Sequence, residues 1–182
     1  MKRLLTLMAV GATLAVIALV APTAAEAAPF CGIRWGSLPK AGSPGSAVPL
    51  VNVRAGRHAC YDRLVMDFAG RASGFNVRYV PAVREQGRGE VVPLRGGAFI
   101  EIVLQHPAND VNTGAPTYQP ANPNELVNVT GWQTFRQVAW GGSFEGYTTI
   151  GLGVRARLPF RVFVLPGPGS DSRLVVDVAH HW

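Results

Sequence analysis

Residues 63–68 read RLVMDF, and residues 173–178 near the C-terminus read RLVVDV. The first copy is followed by a second strand-like segment at 75–80, FNVRYV, and the second copy is preceded by one at 160–165, FRVFVL. Apolar side chains recur at every second position in these segments, a period that predicts β-strands with one buried face. The repeat therefore predicts one β domain with two related edges, and it favours a binding module over a scaffold built around a catalytic pocket.

Further short apolar segments, separated by glycine and proline, continue the β pattern. We expect additional strands at 91–94, 99–104, 126–133 and 145–154, whereas 134–140 is compatible with a short helix. Seven to nine short strands joined by turns predict an all-β fold, either a two-sheet β-sandwich or a flattened barrel.

The N-terminus has the pattern of a secretory signal peptide. Lys2 and Arg3 precede an uncharged apolar run at 4–20, and the small residues of AEA at 25–27 suit a signal peptidase that cuts before Ala28. The alternative is that this segment is retained as an N-terminal anchor. With cleavage, we expect a secreted or wall-associated protein with no membrane span.

Three parts follow from this pattern: a signal peptide at 1–27, an irregular Gly/Pro-rich arm at 28–49 and a β domain at 50–182. The chain has two cysteines, Cys31 and Cys60. In an oxidising compartment these predict one disulfide that pins the arm and contributes roughly 3–4 kcal/mol on the chain-entropy model. Two free thiols are the alternative.

The chain is basic, with 17 Lys and Arg against 11 Asp and Glu and a formal charge of +6. A basic exported domain is attracted to anionic surfaces, so we expect an anionic wall polymer, a phosphate-bearing glycan or lipid head groups as the partner. The arginines are scattered and do not form the clustered stripe of a nucleic-acid-binding protein. Nucleic acid is therefore excluded as an expected partner.

The repeat also supplies candidate binding residues. Arg63 and Asp67 are four residues apart in a strand, as are Arg173 and Asp177, so each pair points to the same side, away from the core. One interpretation is a solvated, salt-bridged sheet face. The other is that these four residues form a surface that contacts a glycan or a partner protein.

Aromatic residues cluster in a second region. Trp132, Trp140 and Tyr147 lie close together in the sequence, after the long polar loop at 106–124. Flat rings stack on the apolar faces of sugars, but they also build hydrophobic cores. These three residues are candidate glycan contacts, and core packing is the alternative.

No motif with a catalytic mechanism is present in the sequence. GGSFEG at 141–146 resembles a nucleophile elbow, but Glu145 stands where the closing glycine is required. Glu101 and Glu145 could serve as a glycosidase pair, although nothing in the sequence brings them together. The four histidines do not have metal-binding spacing. We therefore predict no enzyme, no cofactor and no metal site.

The ordered set of motifs resembles the AMIN-like domain proteins exported by actinobacteria. The resemblance covers most of 48–181 and rests on YDRLVMDF at 61–68, GFNVRYV at 74–80, FEGYTTIGLGV at 144–154, PFRVF at 159–163 and RLVVDV at 173–178. It implies a sandwich of two similar sheets, as in the AMIN modules that accompany envelope amidases and secretins. Those modules bind peptidoglycan and are not catalytic.

The expected function is thus a non-catalytic exported module that recognises a cell-envelope polymer, most of all peptidoglycan. Two alternatives remain. One is an interaction module that regulates another exported protein, such as a wall hydrolase. The other is a carrier of a small apolar ligand held between the sheets.

Overall fold

The protein is all-β in a computed structural model that describes residues 30–45 and 47–182. A single 3-10 turn at Phe30–Gly32 precedes nine strands: β1 Lys40–Gly42, β2 Leu50–Arg57, β3 Tyr61–Phe68, β4 Phe75–Val80, β5 Ala98–Leu104, β6 Phe135–Phe144, β7 Tyr147–Val154, β8 Phe160–Pro166 and β9 Ser172–Ala179. The expected signal peptide at 1–27 lies outside the described residues.

The strands form two antiparallel sheets that pack as a sandwich. The five-stranded sheet has the order β1-β4-β5-β7-β6, and the four-stranded sheet has the order β2-β3-β9-β8. The all-β sandwich expected from the sequence is therefore confirmed.

The two copies of the repeat do not form separate edges, as the sequence suggested. They are β3 and β9, the two central strands of the four-stranded sheet, paired with Val65 opposite Val175. The strand partners differ as well. β8 pairs with β9, whereas β4 pairs with β5 in the other sheet. The pseudo-symmetry is thus local to one sheet, with β2 and β8 flanking the duplicated pair.

The space between the sheets is filled by apolar side chains. Leu64 and Met66 of β3 and Leu174 and Val176 of β9 face inward and are almost inaccessible to solvent, as are Ile100 and other residues of the opposite sheet. Full burial of one such side chain stabilises a fold by about 1.5–3 kcal/mol. The alternation of apolar and polar residues in the repeat therefore arises because one face of the four-stranded sheet packs on this interior.

Two of the expected strands, 126–133 and 91–94, were wrong. Residues 126–133 form a loop. The ambiguous segment 134–140, which was compatible with a short helix, enters β6. Within 91–94 only Val91 makes a bridge, to Arg84.

The segment from 81 to 97 lies on the outer face of the five-stranded sheet as a partial third layer. Val83, Val92 and Leu94 pack there against Ala139. An added Cβ on Gly153 of β7 would overlap the carbonyl oxygen of Arg95. Gly153 therefore permits the backbone of the segment 81–97 to lie directly on β7, and glycine inside a strand often marks such a close approach.

The N-terminal arm is tied to both sheets. The predicted disulfide is present, joining Cys31 to Cys60 just before β3. The backbone N–H of Phe160 donates to the carbonyl oxygen of Gly36, 2.8 Å away. Three arm residues form β1, which pairs with β4 at the edge of the five-stranded sheet; the glycine and proline content of the arm did not indicate this strand.

Candidate functional site

The outer face of the four-stranded sheet carries the polar residues of the repeat. Because β3 and β9 are antiparallel, the arginine of one copy lies opposite the aspartate of the other: Arg63 faces Asp177, and Asp67 faces Arg173. We call this surface the repeat face. Val65 and Val175 are buried at its centre and divide it into two halves.

The half around Asp177, the closed half, is a charged cluster with a fully buried carboxylate. Arg63 donates from Nε to Asp177 Oδ1 at 2.7 Å and from Nη2 to Oδ2 at 2.9 Å, and Arg161 of β8 donates from Nε to Oδ2 at 2.9 Å. The hydrogen bond to Asp177 is the main reason that the pKa of Arg63 is raised above its usual value. One carboxylate thus fixes two guanidinium groups.

Aromatic rings surround these guanidinium groups. The Cζ atom of Arg161 lies 4.4 Å from the ring centroid of Trp35 and 5.0 Å from that of Phe163. Tyr61 packs edge-on against Trp35 at 5.5 Å and lies 5.3 Å from Arg63 Cζ. Contacts of this kind hold a cation in place by cation–π attraction. Trp35 comes from the arm, so the disulfide-bonded segment completes the closed half.

The half around Asp67, the open half, has the same residue types but a different arrangement. Arg54 of β2 makes two hydrogen bonds to Asp67, at 2.8 and 3.0 Å, and Asn52 makes a third at 3.2 Å. Arg173, the counterpart of Arg63, instead donates from Nη2 to the carbonyl oxygen of Pro166 at 2.7 Å. Its Nε is buried and has no acceptor within the described part of the chain.

The repeat face carries a surplus of positive charge, because four arginines accompany two aspartates. Arg161 is the most available donor of the closed half, with a side chain 40% exposed. Of its guanidinium nitrogens only Nε has an acceptor in residues 30–45 and 47–182. A rigid guanidinium with free N–H groups beside aromatic rings can bind a carboxylate or a phosphate through charge-assisted hydrogen bonds.

The structure brings together two of the predicted site residues, Arg63 and Asp177, and separates Asp67 and Arg173 from them as the other half of the face. Sequence reasoning missed Arg54, Arg161 and the aromatic residues around the closed half. The β8–β9 hairpin carries a usable signal for Arg161. Its turn pairs Pro166 with Ser172, and counting five residues away from the turn along each strand places Arg161 opposite Asp177.

The three predicted aromatic residues lie elsewhere. Trp132 stacks on Phe135 at 6.0 Å and lies under Arg57. Trp140, on β6, packs partly against the interior and has Tyr118 as a neighbour at 5.5 Å. Tyr147 is exposed at the tip of the β6–β7 hairpin. The aromatic residues of the repeat face are therefore a different set from those predicted.

Among the described residues, no three His, Cys, Asp or Glu side chains are placed to hold a metal ion. No helix in that part of the chain is long and apolar enough to cross a membrane.

The AMIN-like domain family matches residues 48–180. No curated protein and no solved structure matches the chain. AMIN-like domains are modules of the cell envelope and are generally non-catalytic binding modules. The matched segment includes every strand from β2 to β9 and most of the sequence, so the chain belongs to the AMIN-like domain family.

Proposed function

We propose that this protein is a non-catalytic module that binds peptidoglycan through the closed half of its repeat face. The observation that carries the proposal is the pair of guanidinium groups held on the buried Asp177 carboxylate and flanked by Trp35, Tyr61 and Phe163. The family and the Cys31–Cys60 disulfide indicate an extracytoplasmic protein, which has access to the wall.

The chemistry of the closed half suits an anionic wall polymer. The peptide stems of peptidoglycan carry carboxylates, and a guanidinium group binds a carboxylate with two parallel hydrogen bonds. Trp35 and Phe163 offer apolar ring surface next to Arg161, on which the carbon skeleton of a sugar or side chain can pack. The arginines are already ordered by Asp177, so little side-chain entropy is lost when a ligand binds.

The residues nominated for catalysis have structural roles, which supports the non-catalytic part of the proposal. Ser143 Oγ accepts hydrogen bonds from the backbone N–H of Ala108 and from Thr148 Oγ1. Glu101 is paired with Arg78 on the outer face of the five-stranded sheet. Glu145 occupies the β6–β7 turn with a positive φ of 49°.

Co-sedimentation with purified sacculi tests the proposal. The Arg161→Glu variant reverses the charge of the available donor, and we expect it to weaken retention at low salt by about tenfold or more, since a charge-assisted contact contributes about 1.5–3 kcal/mol. Arg71→Glu is the matched control, because Arg71 is exposed in the β3–β4 loop and has no ion-pair partner in the described residues. Equal retention of both variants and the wild type would contradict the proposal.

A protein-interaction function has one observation in its favour. β8 is an edge strand, and the arm covers only its start, through the Gly36–Phe160 hydrogen bond. Val164 in its second half is exposed. An uncovered strand edge can pair with an extended segment of another protein. Cross-linking in cells distinguishes the two functions, because a protein adduct formed by a variant without sacculus retention would favour this one.

The carrier function has less support. The layer of apolar side chains between the sheets is continuous, from Leu50 and Phe68 at one end to Phe135 and Val178 at the other, and each is fully buried or nearly so. A packed interior of this kind offers no room to an apolar ligand without rearrangement.

A further inference from the structure

We infer that a second binding site lies in a groove around Trp140 and takes an uncharged pyranose chain. The groove consists of two adjoining depressions, of 420 and 290 Å³, that share Trp140 and Ser143 as a common wall. Residues 85–88 line one side of the groove, and residues of the segment 108–120 line the other side. This site is separate from the repeat face and does not depend on the function proposed for that face.

The fold opens the groove with an irregularity in β6. The register of β6 against β7 shifts between Trp140 and Ser143, and Gly142 has a φ of 90°. β-bulges are frequent at sheet edges and next to functional sites, where they redirect side chains. β6 is such an edge strand, so the bulge interrupts the ladder at the place where Trp140 lies.

Both loops are fastened to this irregular stretch, so the groove is a preformed feature. The backbone N–H of Gln86 donates to the carbonyl oxygen of Gly141 at 2.6 Å, which holds the first loop. The backbone N–H of Ala108 donates to Ser143 Oγ at 3.0 Å, which holds the second. Preformed concave sites bind with a smaller entropic cost than sites that must close on a ligand.

The groove offers aromatic surface on both sides of its shared wall. The ring of Tyr118 is tilted 55° to that of Trp140, with centroids 5.5 Å apart. Phe144, which is 52% exposed, lies beside Gly87 at the other end. Burial raises the pKa of Tyr118, so its hydroxyl stays protonated and uncharged near neutral pH. Rings placed in this way can stack on the C–H faces of successive sugar units.

The polar groups of the groove are neutral donors and acceptors. The side chain of Gln119, the Tyr118 hydroxyl and Asn109 Oδ1 have no hydrogen-bond partner among the described residues. Glu85 and Arg88, the charged pair in the lining, bind each other at 2.6 Å. The groove therefore presents amide and hydroxyl groups without a free charge, which matches sugar hydroxyls better than a carboxylate or a phosphate.

Titration with the pentamer of N-acetylglucosamine tests the inference, since this oligomer is an uncharged pyranose chain. We expect saturable binding, seen by calorimetry and as a shift of the Trp140 indole N–H resonance. Gln119 is exposed, so Gln119→Ala should leave the fold intact and weaken binding by about three- to tenfold through the lost hydrogen bonds. Trp140→Phe should weaken it further, whereas Trp132→Phe, a matched change outside the groove, should have no effect.

Absence of saturable binding up to about 10 mM pentamer, a concentration that detects even very weak complexes, would overturn the inference. So would binding that Gln119→Ala and Trp140→Phe leave unchanged. Arg161→Glu separates the two sites. If this variant loses sacculus retention but keeps pentamer binding, both assignments stand; if pentamer binding is lost with Arg161→Glu and kept with Gln119→Ala, the sugar site is not the Trp140 groove.

Discussion

The two halves of the repeat face are made from the same residue types and differ in what surrounds them. In the closed half, Asp177 is fully buried and binds two arginines beneath Trp35. In the open half, the side chain of Asp67 is 21% exposed and binds one arginine, while Arg173 turns to a backbone carbonyl. The two copies of the repeat therefore supply the same charges, and the arm and the flanking strands determine the arrangement of each pair.

The flanking strands place the second arginine differently in each half. Arg161 of β8 lies directly opposite Asp177, so it adds a hydrogen bond without displacing Arg63. Arg54 of β2 lies opposite Val65 and reaches diagonally to Asp67, whose direct partner on β2 is Asn52. There it occupies both carboxylate oxygens, the position that Arg173 would need. The loss of symmetry thus accompanies an asparagine on β2 at the position where β8 carries Arg161.

The largest expected effect comes from removing the arm's tether. The double variant Cys31→Ala, Cys60→Ala should lower the free energy of unfolding by roughly 3–4 kcal/mol, as estimated for a loop of this length. It should also free Trp35 from the closed half and make that half resemble the open one. Urea unfolding and the fluorescence of Trp35 measure the two effects. Unchanged stability would show that the arm is held by its other contacts.

Removal of an aspartate should have the next largest effect, and the loss of stability should differ between the two halves. Asp177→Ala leaves two guanidinium groups close together, and we expect a loss of about 2–3 kcal/mol, less than for a fully buried pair because Arg63 and Arg161 reach solvent. Asp67→Ala breaks a more exposed pair and should cost less than about 1 kcal/mol. Denaturant unfolding of both variants checks this order, and equal losses would remove the distinction between the halves.

A pH titration should act on the interior side of β3, at the end that carries the open half on its outer face. His106 packs on Phe68, next to Asp67, and burial lowers the pKa of its imidazole below the usual value. As pH falls below about 6.5, the unfolded chain takes up a proton first, so the free energy of unfolding should decrease until the folded-state pKa is reached. His106→Gln should flatten this dependence in unfolding measured between about pH 8 and pH 5. A slope that the variant retains would assign it to another group.

The smallest effect is expected at Arg173. Its Nε is buried without an acceptor in the described residues, so Arg173→Met relieves an unpaired group and should change stability by no more than about 0.5 kcal/mol in either direction. Arg63→Met, the same substitution in the closed half, leaves Asp177 with one partner and should be clearly destabilising. Thermal unfolding of the two variants compares them directly, and a larger loss at Arg173 would mean that the open half is the more stable one.

The strands of the repeat could be predicted from the sequence, because β3, β4, β8 and β9 alternate regularly. The disulfide could be predicted from two cysteines in a chain with the sequence pattern of an exported protein. The arginine–aspartate pairs could not, since they require knowing that β3 and β9 are neighbours. Once they pair antiparallel, the order Arg-then-Asp in each copy brings opposite charges of different copies together.

The errors along the chain have local causes. In β6 the register shifts between Phe135 and Gln137, so Phe135 and Val138 both face the interior three residues apart, as they would in a helix. Leu126 and Val127 pack on the same interior from a loop. The loop backbone meets the β6 edge through separate hydrogen bonds, from Leu126 N–H to the Val138 carbonyl and from Trp140 N–H to the Pro123 carbonyl. Val92 is buried and Leu94 is partly buried in the third layer, so their apolar character reflects packing without a strand ladder.

The path of the arm has a mechanical consequence. The arm is bonded at Cys31 to Cys60, and it then packs on the four-stranded sheet through Trp35. It continues to β1 at the edge of the five-stranded sheet. Tension applied ahead of Cys31 is passed through a covalent bond directly to the start of β3, the strand at the middle of the domain. The β1–β4 hydrogen bonds and the packing of Trp35 lie outside that load path, so a pull on this side would bypass the rest of the arm.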